Sequence, residues 1–416
     1  MLNHKWKVLA AAAVLAVSSG TASAQETVRM GALATLEGAF TVLGEDGMRG
    51  VRMALEEFGY SAGGVEIELI TGSSDASPDS AIRAARKLVE QDGVQILVGP
   101  LSGSEGLAMR DYAKTQPEVT FINGTSAAQD TTLRSPADNF FRFSTDGAQW
   151  MAGLGEYAYN VKGYRSVAVL AEDYSFPYTQ VFGFLEPFCR LGGEAPIDAR
   201  FWVPIGNTDY SSVIAALPDD VDAIYVALGG ADAVNFLTQY EQAGGFLPLI
   251  GGSITVDQTV LGSEGRTREF VIGTPSAGPI SDTWDNDGWN DFVARYQEMF
   301  PDGFPSPSLF AHGYYINTKA ALLALEAVGG DLSDGGVAYR EALSNLSFDT
   351  PTGMVSLDER RQAIADIFLT EVIEGPDGGL MNQTIEVIPQ VTQTLGVPYD
   401  QFLEYGQVGR ENPSCE

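Results

Sequence analysis

Short apolar runs rich in Val and Ile, each followed by a stretch of helical periodicity, recur along most of this chain and leave few folds open to it. TVRMGAL precedes helical spacing near Glu45 to Phe58, VEIELIT precedes Pro78 to Gln91, VQILVGP precedes Glu105 to Lys114, and VTFING follows. The order then restarts. Helical spacing near Gln149 to Asn160 leads to SVAVLAED, Tyr178 to Leu191, ARFWVP, Tyr210 to Leu217, AIYVAL, Ala231 to Ala243 and PLIGG. These runs largely lack the polar alternation of half-exposed strands, as expected when helices cover both faces of a parallel sheet. The pattern predicts an α/β chain with parallel sheets. Two such blocks, each of about 120 residues, predict two similar lobes rather than one large sheet, dividing near Phe143 to Ala148. After the Pro-rich loop FPDGFPSPS, helical spacing covers Pro307 to Val328 and Val337 to Leu346, and the strand-like runs GMVSLD and AIADIFLTEVIEG follow.

A length of 416 residues accommodates these lobes at ~150 residues per domain. The net charge of -31 repels phosphates and anionic headgroups, which excludes nucleic acid and anionic membrane surfaces as partners. Lys5 and Lys7 stand ahead of the apolar run Val8 to Val17, and Ala22-Ser23-Ala24 supplies an A-x-A cleavage site. The run is shorter than the ~20 residues a membrane helix needs, so residues 1–24 read as a signal peptide and the rest as a soluble exported protein. An oxidising compartment permits one bridge, Cys189 to Cys415, which would pin the terminus onto a domain. The alternative is a buried thiol and a loose tail. An exposed terminal thiol in such a space favours the bridge.

Catalytic chemistry finds little support. Beyond the signal segment the sole histidine is His312, at a helix start, where a packed role is expected. No phosphate loop occurs, and GLGEYA at Gly153 to Ala158 lacks a preceding strand, so no cofactor is expected. Ser102, Ser104 and Ser126 follow strands but none sits in G-x-S-x-G. Two cysteines with so few histidines argue against a metal site, and DTWDNDG at Asp282 to Gly288 lacks calcium-loop spacing and reads as a solvated loop. What remains is small hydroxyl residues in GPLSGSEG (Gly99 to Gly106) and NGTSAA (Asn123 to Ala128) at strand-to-helix turns. Such turns hold carboxylates on free helix N–H groups, and their serines also serve as helix N-caps.

The opening RMGALATLEGAFTVLGEDGMRGVRMALEEF, then ILVGPLSGSEG, VTFINGTSAAQDTT, VAVLAEDYSFPYTQV and AIYVALGGADAVNFLTQYEQAG together resemble the periplasmic leucine/isoleucine/valine-binding proteins of branched-chain amino-acid ABC transporters. The resemblance implies the type I periplasmic-binding fold, with two Rossmann-like lobes joined by three crossings near Phe143 to Gly147, Gly273 to Gly278 and after Thr352. Lobe 1 would comprise 25–145 and 276–358, and lobe 2 would comprise 146–275 and 359–416. It further implies a monomeric, non-enzymatic periplasmic receptor that hands an amino acid or related small carboxylate or amide to an ABC permease. The family's carboxylate-holding turn falls on Ser102, Gly103 and Ser104, its second strand-end contact on Ser126 and Ala127, and its second-lobe aromatic on Phe176 beside Tyr174. Two positions depart from the family pattern. The first-turn aromatic falls on Leu43, with Phe40 as a nearby substitute, and Ser253 stands where amino-acid receptors place an acid for the ammonium. A buried ammonium then needs Asp257, Glu172 or Asp173; otherwise the ligand is an amine-free aromatic or aliphatic carboxylate, or a small amide.

Overall fold

The structure, a computed structural model, describes residues 27–263 and 268–415 and the isolated Met1, so the expected signal peptide otherwise lies outside the described residues. The first block runs β1 (Thr27–Thr35), α1 (Thr41–Glu57), β2 (Ser61–Ala62), β3 (Val65–Ser74), α2 (Pro78–Arg86), β4 (Ile96–Val98), α3 (Gly103–Ala113), β5 (Thr120–Ile122) and β6 (Phe140–Phe141). The second runs α4 (Gly147–Trp150), α5 (Leu154–Asn160), β7 (Val167–Glu172), α6 (Ser175–Arg190), β8 (Arg200–Val203), α7 (Ser211–Ala216), β9 (Ala223–Ala227) and α8 (Gly230–Gln242). It ends with β10 (Leu249–Gly251), α9 (Gln258–Leu261), α10 (Arg268–Val271) and β11 (Pro275–Gly278). Then come α11 (Asp287–Met299), α12 (Leu309–Ala327), α13 (Val337–Ser344), β12 (Ser347–Thr350), β13 (Gly353–Leu357), β14 (Ala363–Glu374), β15 (Leu380–Val391) and α14 (Tyr399–Leu403).

Each sheet is built around the same parallel order. The first is β2-β3-β1-β4-β5-β6, with only the short β2 antiparallel. In the second, β8-β7-β9-β10-β11 are parallel, and β14 joins β11 antiparallel, carrying β13, β12 and β15. Every residue of β7 and β9 is buried, which accounts for the unbroken apolar runs in the sequence. Strand order reverses between β1 and β4 and again between β7 and β9, which gives one topological switch point per lobe.

Although α11, α12 and α13 follow the second sheet in sequence, α12 packs on α1, β4 and β5 of the first. Close approach of α1 and α12 depends on Gly50, where a Cβ would lie 2.0 Å from the Ala311 carbonyl oxygen. By strand membership the chain leaves the first sheet after β6 through 142–146 and the second after β11 through 279–286, so the expected crossing at Gly273 to Gly278 falls on β11 itself; it rejoins the second sheet's path at β12 and β13 and runs through 358–363 into β14. The outer two connections are bonded to each other: Arg142 N–H donates to the Arg361 carbonyl, and Gln362 Nε2 donates to the Ser144 carbonyl at 3.1 Å. Arg142 is fully buried, and its guanidinium donates to the carbonyl of Ala128 (2.7 Å) and the hydroxyl of Thr132 (2.7 Å) with Asp146 Oδ2 at 3.7 Å.

The expected helix over Gln149 to Asn160 divides into α4 and α5, because Gly153 takes φ 81° and starts a new helix. DTWDNDG is a loop over 282–286, and only its last two residues enter α11: Asn286 Oδ1 accepts the Trp289 N–H at 2.7 Å as an N-cap. Cys189 and Cys415 are bridged across a sequence separation of 226 residues.

Candidate functional site

The turns at the carboxyl ends of β4 and β7 meet across the gap between the lobes. After β4, Ser102 caps α3: its Oγ accepts the Glu105 N–H (3.3 Å) while its own N–H donates to Glu105 Oε2 (2.9 Å). The Ser102 hydroxyl also donates to the Ala76 carbonyl at 2.9 Å, so this serine is spent on holding its own turn. Capping leaves the amides of Gly103 and Ser104 in the first turn of α3, where no intrahelical carbonyl reaches them. Ser104 Oγ lies 3.1 Å from Ser175 Oγ of the other lobe. Gly103 sits so close to α6 that a Cβ there would lie 2.9 Å from Phe176 Cβ and 3.0 Å from Phe176 N.

Behind this contact lies a narrow cavity of about 10 Å³, room for roughly one water, so any larger guest requires the lobes to part. Trp150, Tyr174, Phe176 and Phe310 form its aromatic walls; Leu43, Leu101 and Ile254 complete them, and none of the lining residues is charged. Trp150 meets Phe176 edge-on at 5.5 Å between ring centroids, and its Nε1 donates to Thr145 Oγ1 at 2.8 Å. The polar groups at this wall are the Gly103 backbone, the Tyr174 phenol and Thr125, whose buried Oγ1 has no partner in the protein. The Tyr174 phenol is held protonated well above its ordinary range by burial, reinforced by the nearby carboxyls of Glu172, Glu105 and Asp232.

The other residues singled out by sequence fall at varying distances from this cavity. Leu43 lines it directly, and Phe40 stands one layer away, its ring tilted over Tyr174 at 6.2 Å. Ser126 faces α3 instead, with Oγ beside Gly106, so the cavity contact from this turn is the preceding Thr125. Ala127 is buried at the first connection, its carbonyl accepting the Gly147 N–H at 2.9 Å. Ser253 Oγ accepts from Gln180 Nε2 at 2.7 Å, and Ser253 and Asp257 line a separate small cavity of about 20 Å³; it is Ile254 between them that reaches the aromatic one. Asp257 caps α9 and accepts the Leu309 N–H at 2.8 Å; burial raises its carboxyl to about 7. Glu172 accepts the Gly229 N–H at 3.0 Å, and burial pushes its carboxyl well above the usual range. Asp173 faces outward to Tyr178 and Arg410.

His312 is buried, its Nε2 lies 3.1 Å from Thr352 Oγ1, and burial lowers its pKa to about 3, so it stays neutral. Leu101, Thr125, Trp150, Ile254 and Phe310 escaped the sequence reading. Trp150 and Phe310 carried one usable signal, each being a large aromatic in the first turn of a helix that follows a crossing or a Pro-rich loop.

Aromatic walls joined by two facing switch points invite comparison with known proteins. The sequence profile of the family described as periplasmic binding protein matches residues 27–378. This chain belongs to the periplasmic binding protein family. A Leu/Ile/Val-binding protein homolog 6 from Brucella melitensis is 24% identical over 390 residues, covering 91% of this chain and 95% of its own. An ABC transporter substrate-binding protein from Sphaerobacter thermophilus superposes with a TM-score of 0.78 at 29% identity, covering 88% of this chain and 98% of that one. A solute binding protein of an ABC transporter from Rhodopseudomonas palustris BisB5, in complex with 3,4-dihydroxybenzoic acid, superposes with a TM-score of 0.80 at 25% identity over the same shares. The chain thus has the type I periplasmic-binding fold, two Rossmann-like lobes on a three-crossing hinge. Among the described residues, no helix of this periplasmic binding protein is long and apolar enough to cross a membrane.

Proposed function

We propose that this periplasmic binding protein captures a small, amine-free aromatic carboxylate in its interlobe cavity and presents it, chemically unaltered, to an ABC permease. The observation that carries this reading is a cavity walled by four aromatic rings with no charged side chain. An α-amino acid would bury its ammonium there without an anion, at a cost of several kcal/mol. Glu172 and Asp257 accept backbone N–H groups elsewhere and are biased toward their neutral forms. The relative bound to 3,4-dihydroxybenzoic acid supports the same ligand class.

In this reading the carboxylate rests on the Gly103 and Ser104 amides at the start of α3, where the helix dipole favours an anion. The Thr125 hydroxyl takes a ring substituent or a carboxylate oxygen. Phe176 and Trp150 hold the ring between them. The two lobes close on the ligand about the connecting segments, so contacts come from both and closure reports occupancy. The protein works as a monomer in the periplasm after removal of residues 1–24.

A thermal-shift and calorimetry screen of benzoate, hydroxybenzoates, leucine and small amides tests this, since a ligand specific for the native state raises its melting point. Benzoates should give shifts that Phe176→Ala abolishes. Shifts with leucine and none with benzoates would refute the ligand class.

A further inference from the structure

The chain beyond β15 forms a strap across both lobes. Gln393 Nε2 donates to the Gln129 carbonyl (3.1 Å) and to Asp146 Oδ2 (2.9 Å), and the Tyr399 hydroxyl donates to the Leu133 carbonyl at 2.8 Å. Phe402 and Tyr405 then set their rings edge-on to Phe182 of α6, at 5.8 and 5.6 Å. Farther on, Arg200 Nη1 donates to the Pro413 carbonyl at 2.8 Å, and Cys415 is bonded to Cys189 near the end of α6. Between these anchors the Arg410 guanidinium forks onto Asp173, with Nε donating to Oδ1 at 2.8 Å and Nη2 donating to Oδ2. The Tyr178 hydroxyl donates to the same carboxylate.

Asp173 immediately precedes Tyr174 in the turn that delivers Tyr174 and Phe176 to the cavity. Within that turn the Tyr174 N–H donates to the Glu172 carbonyl at 3.1 Å. Tyr174 is the N-cap residue of α6 and its side chain does not cap the helix, whereas the matching turn of the first lobe is closed by the Ser102–Glu105 capping box. Further support comes from outside: the Asp173 N–H donates to the Val203 carbonyl at 2.7 Å, and the two-pronged ion pair fixes the orientation of the carboxylate. A disulfide only five residues beyond Arg410 limits the freedom the arginine gives up to make that pair.

We infer that the Asp173–Arg410 pair is a positioning device: the disulfide-anchored strap sets the β7–α6 turn, and with it the placement of Tyr174 and Phe176 against the ligand. The effect on affinity rests on the ligand site proposed above; the effect on the turn does not.

Both are read on the full mature protein. Hydrogen–deuterium exchange without ligand follows the peptide spanning 172–180, and calorimetry with 4-hydroxybenzoate follows affinity, in wild type, Asp173→Asn, Arg410→Gln, the double variant, Arg410→Lys and Cys189→Ser/Cys415→Ser. The expected result is exchange in that peptide faster by about tenfold, with affinity weakened by about three- to tenfold. The double variant should match the worse single one because the pair acts as a unit, and Arg410→Lys, which keeps the charge without the fork, should fall between. Unchanged exchange and affinity alongside a lowered melting point would overturn the assignment by reducing the strap to a stabilising contact. Faster exchange in a protein that binds no benzoate even as wild type would uphold the positioning role and refute the ligand class.

Discussion

Adding one methyl group at Gly103 separates binding from folding. In the closed arrangement a Cβ there would lie 2.9 Å from Phe176 Cβ and 3.0 Å from both Phe176 N and Ser175 Oγ. Non-bonded carbons prefer about 3.5–4.0 Å, so the lobes would have to part by roughly 0.5–1 Å at the point where they grip the ligand. Two of those neighbours belong to the backbone side of α6 and cannot swing away as a side chain would. Overpacking of this kind costs about 1–3 kcal/mol, or roughly a 5- to 150-fold loss of affinity, all of it charged to the closed form. The open form gains slightly, because Gly103 is the first residue of α3 and alanine favours helix by up to about 1 kcal/mol. Gly103→Ala should therefore melt at or just above the wild-type temperature without ligand, while calorimetry with 4-hydroxybenzoate records the loss. An affinity within twofold of wild type would show that closure does not bring α3 and α6 together as described.

Other outcomes follow from single residues. Thr125→Val should weaken benzoate binding measurably, while Ser126→Ala, whose hydroxyl faces α3, should leave it within twofold; calorimetry on the pair decides which residue serves the ligand. Burial raises Asp232 to about 6, so between pH ~4 and ~6 the folded state holds more protons than the unfolded one and stability falls as pH rises. Asp232→Asn should accordingly raise the melting temperature at pH 7.5, by the equivalent of about 1–2 kcal/mol once solvent screening is allowed for, and leave it nearly unchanged at pH 4. Cys189→Ser/Cys415→Ser opens a loop of 226 residues and should cost about 5 kcal/mol in urea unfolding on the chain-entropy account. A loss under about 1 kcal/mol would mean that the tail detaches well before the lobes unfold.

The parallel sheets were legible in the sequence because strands such as β7 and β9 are buried on both faces and therefore lack polar alternation. The Gly99 to Gly106 turn was legible too, since strand-to-helix turns carry their own residue signature, whereas Tyr174 and Phe176 were pointed to only by the family resemblance. The contacts that close the cavity were harder. Thr125 and Ser126 differ by one position, and only the actual direction of each side chain beyond β5 sends one to the cavity and the other to α3. Trp150, Ile254 and Phe310 arrive from separate stretches of chain, brought together by the crossings, which no local pattern encodes. A readable helix was also passed over: Trp289, Phe292 and Tyr296 are buried at helical spacing behind the Asn286 cap, but the acidic residues before them suggested a solvated loop.

The return of α12 to the first sheet governs when that half becomes whole. Asp46 on α1 accepts the Ser308 N–H across a separation of 262 residues, and Gly50 nestles against Ala311. A nascent chain that has emerged only as far as β6 can pack α1 on β1 but lacks α12, so the other apolar side of its earliest helix stays adhesive until three quarters of the polypeptide has appeared. Such distant pairings make assembly slow and leave time for a chaperone to hold the unfinished chain.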